Sequence, residues 1–212
     1  MKARLQTLLW GFSFLSSLVL GTVSAQAGEL GVPVERLNDG NIETRTTPHP
    51  GTELLAGSSV GIVEAPYEEV LKVVEDYGRY ADRFMPHFDK SKVLSRRGSA
   101  ALVYIEATIA KGMVKVWAQV KVRGMDQADG TRVVEAKLMK GNLAVMHARF
   151  HLKKLDAGRT LVGFKMIMDP DLKVVPDSLV NAENEKWSRR VIKRLRRAVV
   201  ERRAAPTGKA AP

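Results

Sequence analysis

The feature that most constrains the fold is a strict alternation of apolar and polar residues between Val114 and Arg123. Valine or alanine occupies every second position, and lysine, glutamine, tryptophan or arginine stands between them. Successive side chains of a β-strand point to opposite faces of the sheet, so the pattern predicts a strand with one buried and one solvated face. Such a strand needs a second layer to cover its apolar face.

Four more segments alternate in the same way: Ala100 to Ile109, Thr131 to Lys140, Ala144 to Lys154 and Arg159 to Met168. The connections between them are short and rich in turn residues. They predict an antiparallel meander, because parallel neighbours need crossovers of about a dozen residues. The predicted inward positions are Val116, Ala118, Val120, Val134, Ala136, Leu138, Met146, Ala148, Phe150, Val162, Phe164, Met166 and Met168.

Small side chains and methionines outnumber aromatic residues among these inward positions. Small residues leave space, and methionine adapts to apolar guests of varied shape, so the composition suits a ligand cavity. An ordinary core filled by methionine is the alternative interpretation, and periodicity alone does not separate the two.

Helices are predicted only before and after the meander. Helical spacing begins at Tyr67 and ends near Tyr77, and a second helix runs from Pro176-Asp177-Ser178 to about Arg203. Leu54 to Glu64 reads as a further strand. Segregation of helices from strands is typical of the α+β class, here a curved antiparallel sheet wrapped around the long C-terminal helix.

The N-terminus predicts export. Lys2 and Arg4 precede an uncharged apolar stretch from Leu5 to Val23, and Ala25-Gln26-Ala27 places small residues where a signal peptidase cuts. Residues 1–27 are therefore expected to be a signal peptide, with an uncleaved anchor as the alternative. Either places the rest in the periplasm or outside the cell. The chain has no cysteine, so neither a disulfide nor a lipoprotein anchor is expected.

The remaining chain divides into three parts. Residues 28–52 are predicted to be a leader with at most one short strand, near Ile42 to Thr46. Residues 53–203 form the domain, and the Ala/Pro/Gly-rich residues 204–212 are predicted to be a disordered tail. A chain of this length suits one domain, which we expect to be a monomer.

Positive charge is concentrated on the last helix. The formal net charge is +11, and residues 186–203 hold nine basic residues and one acid. An anionic membrane would attract this helix, although basic residues often form a solvated face. Nucleic acid is not an expected partner, because the chain is exported and aromatic residues do not alternate with the basic ones. The candidate docking residues are Arg189, Arg190, Lys193, Arg194, Arg196 and Arg197.

Two other clusters contain residue types that often form sites. His147, Arg149 and His151 share one face of a strand, but residues four apart lie about 13 Å from each other, too far to share a metal ion. We expect them to be solvated, with no metal and no cofactor. Glu106 sits beside Tyr104 and Thr108; pointing inward it would need a partner such as Arg123, and a surface carboxylate is the alternative.

Several motifs resemble a known family. They are Leu37-Asn38-Asp39-Gly40-Asn41-Ile42-Glu43-Thr44-Arg45, Gly61-Ile62-Val63-Glu64-Ala65-Pro66-Tyr67-Glu68-Glu69-Val70, Tyr80-Ala81-Asp82-Arg83-Phe84-Met85-Pro86, Lys92-Val93-Leu94, Asp169-Pro170 and Val175-Pro176-Asp177-Ser178-Leu179-Val180-Asn181. Together with the basic helix they look like the START lipid-transfer domain of the helix-grip superfamily, over about residues 37–203.

The resemblance implies an apolar tunnel between sheet and helix for a sterol, a phospholipid or a similar molecule. It implies a gate before the helix, and ligand contacts from Val175, Leu179, Val180 and Trp187. The expected function is exported lipid binding or transfer. A cyclase or hydrolase that uses Glu106, Tyr104 or His87 on a hydrophobic substrate is the second hypothesis. An exported interaction protein with a filled core and an acidic partner for its basic helix is the third.

Overall fold

The computed structural model describes residues 26–27, 31–109, 112, 114–170 and 176–204. Eight of its ten strands form one antiparallel sheet in the order β3-β4-β10-β9-β8-β7-β6-β5. The strands of this sheet are β3 (Ile42–Pro48), β4 (Leu55–Val63), β5 (Phe88–Arg97), β6 (Ala100–Ile109), β7 (Val114–Asp126), β8 (Arg132–Gly141), β9 (Val145–Lys154) and β10 (Thr160–Asp169). A separate pair joins β1 (Gln26–Ala27) to β2 (Val32–Pro33).

In the described residues three α-helices flank the sheet: α1 (Tyr67–Val74), α2 (Tyr80–Arg83) and α3 (Asp177–Ala204), with 3-10 segments at Val34–Gly40 and Tyr77–Arg79. The segment from α1 to α2 contributes Tyr77, Tyr80 and Phe84 to the main core. The C-terminal helix α3 lies on the face that we call inner, and the opposite face of the sheet is the outer face. The predicted α+β helix-grip architecture is confirmed.

Strand β4 presents small residues to α3. A Cβ atom added to Gly57 would stand 2.1 Å from the carbonyl oxygen of Asn184, and the Ser59 Oγ lies 2.6 Å from the Ser188 Oγ. The Asn184 side chain donates to the Leu55 carbonyl and accepts from the Met168 amide, 3.1 and 3.2 Å away. Side chains of this size let the helix backbone rest directly on the strand.

The leader is more structured than its turn-rich sequence predicts. Strand β3 pairs with β4 over its whole length, from Ile42 opposite Gly61 to Pro48 opposite Leu55. The 3-10 segment before it places Leu37, fully buried, against Val60, Ile62 and Leu161. The leader thus covers the outer face of β4, which explains why that strand is buried on both sides and alternates only loosely.

Strand β5 was not among the predicted strands. It is an edge strand that pairs only with β6, with register shifts after Phe88 and Val93, and nearly all of its residues are exposed. An edge strand exposed on both faces carries no alternation for a sequence pattern to show. Among the described residues, no helix combines the length and hydropathy that crossing a bilayer requires.

Candidate hydrophobic ligand site

The inner face of the sheet is apolar throughout β6 to β10. All thirteen strand residues predicted to point inward lie in the main core cluster or pack against it. Eleven of them are buried, and Ala136 and Leu138 are half-buried. The alternation in the sequence therefore assigned the inner face correctly on four strands.

The two ends of this inner face differ in burial. At one end Val122, Val134, Leu152 and Leu195 are at most 3% exposed, and the half-buried Tyr67 and Leu71 of α1 pack against the core there. At the other end a set of half-buried apolar side chains, which we call the open end, packs against the same core. These residues are Phe88, Ile109, Val114 and Leu138. The segments that join β6 to β7 and β10 to α3 attach at this end.

Sequence reasoning missed three residues of the open end. Ile109 and Val114 share the inward parity of Ala107 and Val116. Val114 begins the alternating segment and could have been counted as inward, whereas the sequence left the inward parity of the strand that contains Ile109 open. Phe88 gave no such signal, because β5 does not alternate.

The helix residues expected at the ligand lie in three environments. Trp187 is 7% exposed and belongs to the main core, whereas Leu179 is 58% exposed. Val180 packs instead against a separate cluster that contains Leu54, Ala56 and Ile167. Val175 lies outside the described residues. Of this group, Trp187 is the one that the structure brings together with the inward strand residues.

Trp187 lies beside two residues of the chain that precedes β6. Its ring stacks on the His87 imidazole, with centroids 5.3 Å apart and planes at 14°, and meets the edge of Phe88 at 6.4 Å. The Arg190 Nη1 lies 3.2 Å from the His87 Nε2 and can only donate, so that nitrogen accepts. Burial, and then Arg190 and Arg194, lower the pKa of His87. We therefore expect a neutral His87 at neutral pH.

The described interior holds little that could act as an acid or a base. Its buried polar residues are Ser58, Ser59, Thr160, Asn184 and Ser188. Tyr77 and Tyr80 are also buried, and burial raises the pKa of both, so they stay protonated at neutral pH. The Tyr80 hydroxyl donates to the Val74 carbonyl.

Residues 63–196 match the sequence profile of the polyketide cyclase/dehydrase and lipid transport family. The match spans more than half of the chain. The chain belongs to this family. A comparison with curated protein sequences finds no match.

Solved structures agree with this membership in a family of helix-grip domains. The human StAR-related lipid transfer protein 5 superposes with a TM-score of 0.68 at 15% identity, over 77% of this chain and 84% of that one. A STAR-related lipid transfer protein fragment from Xanthomonas axonopodis gives 0.64 at 17% identity, over 76% and 94%. Identities this low establish the fold alone. The resemblance to START domains inferred from the sequence motifs is confirmed.

The enzyme candidates Glu106 and Tyr104 lie on the outer face of the sheet, away from the apolar interior. The buried residues of β6 are Ala101, Val103, Ile105 and Ala107, so Glu106 has the opposite parity. Its carboxylate accepts from the Tyr104 hydroxyl at 2.6 Å and lies 3.7 Å from the Lys90 Nζ. The hydrogen bond from Tyr104 lowers the pKa of Glu106. The surface alternative is therefore correct, and Arg123 is not the partner.

The basic side chains of α3 lie mainly on its solvent face. Arg189, Arg190, Lys193, Arg194 and Arg197 are exposed, and Lys186 and Arg190 lie near Glu183 at 3.2 and 3.9 Å. Arg196 differs from them. Its half-buried guanidinium donates to the carbonyl oxygens of Ile62 at 2.8 Å and Gly40 at 2.7 Å. Arg196 therefore fastens α3 to β4 and to the turn before β3, and it does not belong to the exposed surface.

The outer-face group of β9 is a cross-strand cluster. Glu135 on β8 accepts from the Arg149 Nη2 at 2.6 Å and from the His147 Nε2 at 2.9 Å, and it lies 3.2 Å from the Lys137 Nζ. Burial would raise the pKa of Glu135, but these contacts outweigh it and lower the pKa to about 2. His147 and His151 are both half-buried rather than fully solvated.

Proposed function

We propose that this chain is an exported lipid-binding or lipid-transfer protein that holds a sterol, a phospholipid or a similar molecule between the sheet and α3. The observation that carries the proposal is the graded inner face. It is apolar along its whole length, and the strand residues are buried at the end beside α1 and half-buried at the open end. A ligand would replace solvent at the exposed apolar surface of that end and gain about 25 cal/mol for each Å² covered.

Two further observations support a carrier. Both structural relatives described above are named as lipid transfer proteins. The family description also names cyclases and dehydrases, yet Glu106 and Tyr104 lie on the outer face and His87 is exposed. The described interior offers no carboxylate, imidazole or amine to a substrate. Binding a hydrophobic molecule requires only the apolar side chains that this interior contains.

Native mass spectrometry of the purified protein, followed by extraction of bound lipid, tests the proposal. We expect a bound hydrophobic molecule, recovered unchanged. Leu138→Trp should reduce its occupancy, because the larger ring fills the open end. Met139→Trp is the matched control, since Met139 is 61% exposed and its side chain lies outside this face.

Three results would separate the alternatives. A wild-type protein that neither carries lipid nor takes it up from vesicles would refute the carrier. A bound molecule that leaves chemically altered would favour the cyclase. Equal lipid loss in Leu138→Trp and Met139→Trp would show that the open end is not the binding region.

The exposed basic face of α3, defined as Arg189, Arg190, Lys193, Arg194 and Arg197, would dock this carrier on an anionic membrane. Each such residue near an anionic bilayer contributes about 1 kcal/mol. The face lies on the same helix as Trp187, so docking would bring the ligand region close to the bilayer from which lipid is loaded.

A vesicle sedimentation assay tests the docking. Changing Arg189, Arg190, Lys193 and Arg194 to glutamine should abolish most binding to vesicles that contain phosphatidylserine. The control removes the same charge elsewhere, by changing the exposed Lys92, Lys121, Lys140 and Lys154 to glutamine. Equal losses in the two variants would mean that net charge, not this face, drives the association.

Export is the third part of the proposal. Cleavage after Ala27 would remove β1, which among the described strands pairs with β2 and takes no part in the eight-stranded sheet. The domain would therefore keep its sheet intact. The intact mass of the mature protein from a periplasmic or culture fraction is expected to correspond to a chain that begins at Gly28; retention of residues 1–27 in a membrane fraction would instead indicate the anchor.

A further inference from the structure

Two histidines from distant parts of the chain meet on the outer face. His49 follows β3, and His147 lies on β9; the His49 Nε2 and the His147 Nδ1 are 3.0 Å apart. Both residues are half-buried. Neither contributes to the apolar interior, so the lipid-binding proposal leaves this pair unused.

The second nitrogen of each ring fixes its tautomer. The His147 Nε2 lies 2.9 Å from the Glu135 carboxylate, which also accepts from the Arg149 guanidinium at 2.6 Å. A carboxylate paired with arginine can only accept, so the His147 Nε2 carries a hydrogen. The His49 Nδ1 lies 2.7 Å from the Pro50 carbonyl oxygen, which can also only accept. In the neutral rings, the His49 Nε2 and the His147 Nδ1 are therefore both lone-pair acceptors that face each other.

Two lone pairs at this distance repel unless a cation lies between them. We propose that His49 and His147 bind a divalent first-row transition-metal ion such as Zn²⁺ between these two nitrogens. Two Zn–N bonds of about 2.0–2.1 Å at a tetrahedral angle hold their nitrogens about 3.3 Å apart. The pair needs to open by only a few tenths of an ångström to reach this geometry.

The surroundings resemble the outer shell of a metal site. Glu135 holds His147 through the ring nitrogen that faces away from the pair, as carboxylates commonly do for ligating histidines. Both histidines line a surface cavity of about 600 Å³, which leaves room for water ligands. Lys137, Arg149 and Lys165 line the same cavity and would favour an anion as a further ligand.

The expected affinity is modest. Among the described residues, no third histidine, aspartate or glutamate joins the pair to complete a metal site. The cations around Glu135 also offset the charge of its carboxylate. Binding would tie the connection between β3 and β4 to β9, so the metal would also stabilise the fold.

The test measures Zn²⁺ binding by calorimetry on the full mature chain, prepared without a histidine tag. His49→Gln and His147→Gln should each weaken Zn²⁺ binding by more than the roughly 10- to 100-fold that loss of an outer-shell partner costs. His151→Gln is the matched control, because His151 lies on the same strand and face as His147. It should bind Zn²⁺ as the wild type does.

Two results would overturn the metal site. Wild-type protein that does not bind Zn²⁺ would show that the two nitrogens share only a proton. Binding that survives in His49→Gln would place the metal elsewhere. Because either variant could perturb the fold, nitrogen-15 NMR of the wild-type imidazoles provides an independent check: without metal, hydrogens are expected on the His49 Nδ1 and the His147 Nε2, and Zn²⁺ should shift the two opposite nitrogens.

Discussion

The two halves of the inner surface meet the C-terminal helix in different ways. On the side of β4, Gly57 and Ser59 let the backbone of α3 rest on the strand. On the side of β7 and β8, the same interior is bounded by branched and flexible side chains such as Val116, Val120 and Leu138. The first half positions the helix, and the second forms a wall opposite it.

This difference separates stability from binding. The backbone of α3 contacts β4 so closely that no atom can be added between them, so substitutions along β4 should lower the stability of the fold. The wall of β7 and β8 includes the half-buried Ala136 and Leu138, so changes there should act on what the interior can hold. The helix backbone does not rest on β7 and β8, so other contacts must hold the register of these strands. The cluster around Glu135 on the outer face is one such contact, because it joins β8 to β9.

The largest expected effect tests the contact along β4. Gly57→Ala places a Cβ 2.1 Å from the backbone of Asn184, which cannot move without shifting the helix. We expect a loss of about 3 kcal/mol or more in the free energy of unfolding, measured by urea denaturation. Gly163→Ala on β10 is the control, because its Cβ would meet only ordinary contacts at 3.4 Å or more.

Gly163→Ala should change stability little or increase it by up to about 1 kcal/mol, since alanine restricts the unfolded chain. If both glycine variants lost the same stability, β4 would not be the site that positions α3.

The next effect concerns the wall side and depends on pH. The folded pKa of Glu135, about 2, lies below its ordinary value of 4.5, so its contribution is complete above pH 4.5 and is lost as pH falls toward 2. At pH 7 we expect Glu135→Gln to cost about 2–3 kcal/mol, with the difference from wild type narrowing between pH 5 and pH 3. Urea denaturation across this range measures it.

The exposed Glu53 provides the control, because Glu53→Gln changes a surface carboxylate outside this cluster and should alter the free energy of unfolding by no more than about 0.5 kcal/mol at pH 7. A deficit in Glu135→Gln that stayed constant with pH would indicate a packing effect rather than the loss of a charged group.

The smallest effect distinguishes two serines in the contact along β4. The Ser188 Oγ donates to the Glu185 carbonyl at 2.7 Å, so the hydrogen between the two hydroxyls belongs to Ser59. Ser188→Ala leaves the buried Ser59 hydroxyl without its hydrogen-bond acceptor and should lower the free energy of unfolding by about 1–2 kcal/mol. Ser59→Ala leaves Ser188 bonded and should cost about 0.5 kcal/mol, by thermal or urea denaturation. The reverse order would disprove this assignment of the hydrogens.

The sequence predicted the middle of the fold better than its edges. Strands β6 to β9 alternate because one face is buried and the other is more exposed, and the predicted limits of Ala100 to Ile109 agree with β6. Strand β10 keeps the predicted inward parity, although most of its outer-face residues are buried as well. Strand β4 is buried on both faces and β5 on neither, so the alternation of apolar and polar residues is weak in both strands. The role of Leu37 was hidden, because it depends on a contact with β4 that no local pattern encodes.

Site residues divide in the same way. Inward parity followed from local pattern, since a residue two positions away shares the face. Contacts between distant segments could not be predicted from local pattern. The sequence predicts that Arg196 faces solvent like its basic neighbours, yet its guanidinium donates hydrogen bonds to the carbonyl oxygens of Ile62 and Gly40. The meeting of His49 with His147 likewise depends on where β3 lies in the sheet. Sequence spacing fixes which face a side chain occupies, and tertiary structure fixes its neighbours.

The pairing of β4 with β10 fixes the order in which the sheet can form during synthesis. Strand β4 is synthesised early, but its partner β10 follows about a hundred residues later, and α3, which packs on β4, is synthesised after β10. Long-range pairing of this kind folds slowly. A ribosome-bound fragment would therefore keep β4 unpaired on that side, and the nascent chain would stay threadable through a narrow channel until synthesis is nearly finished.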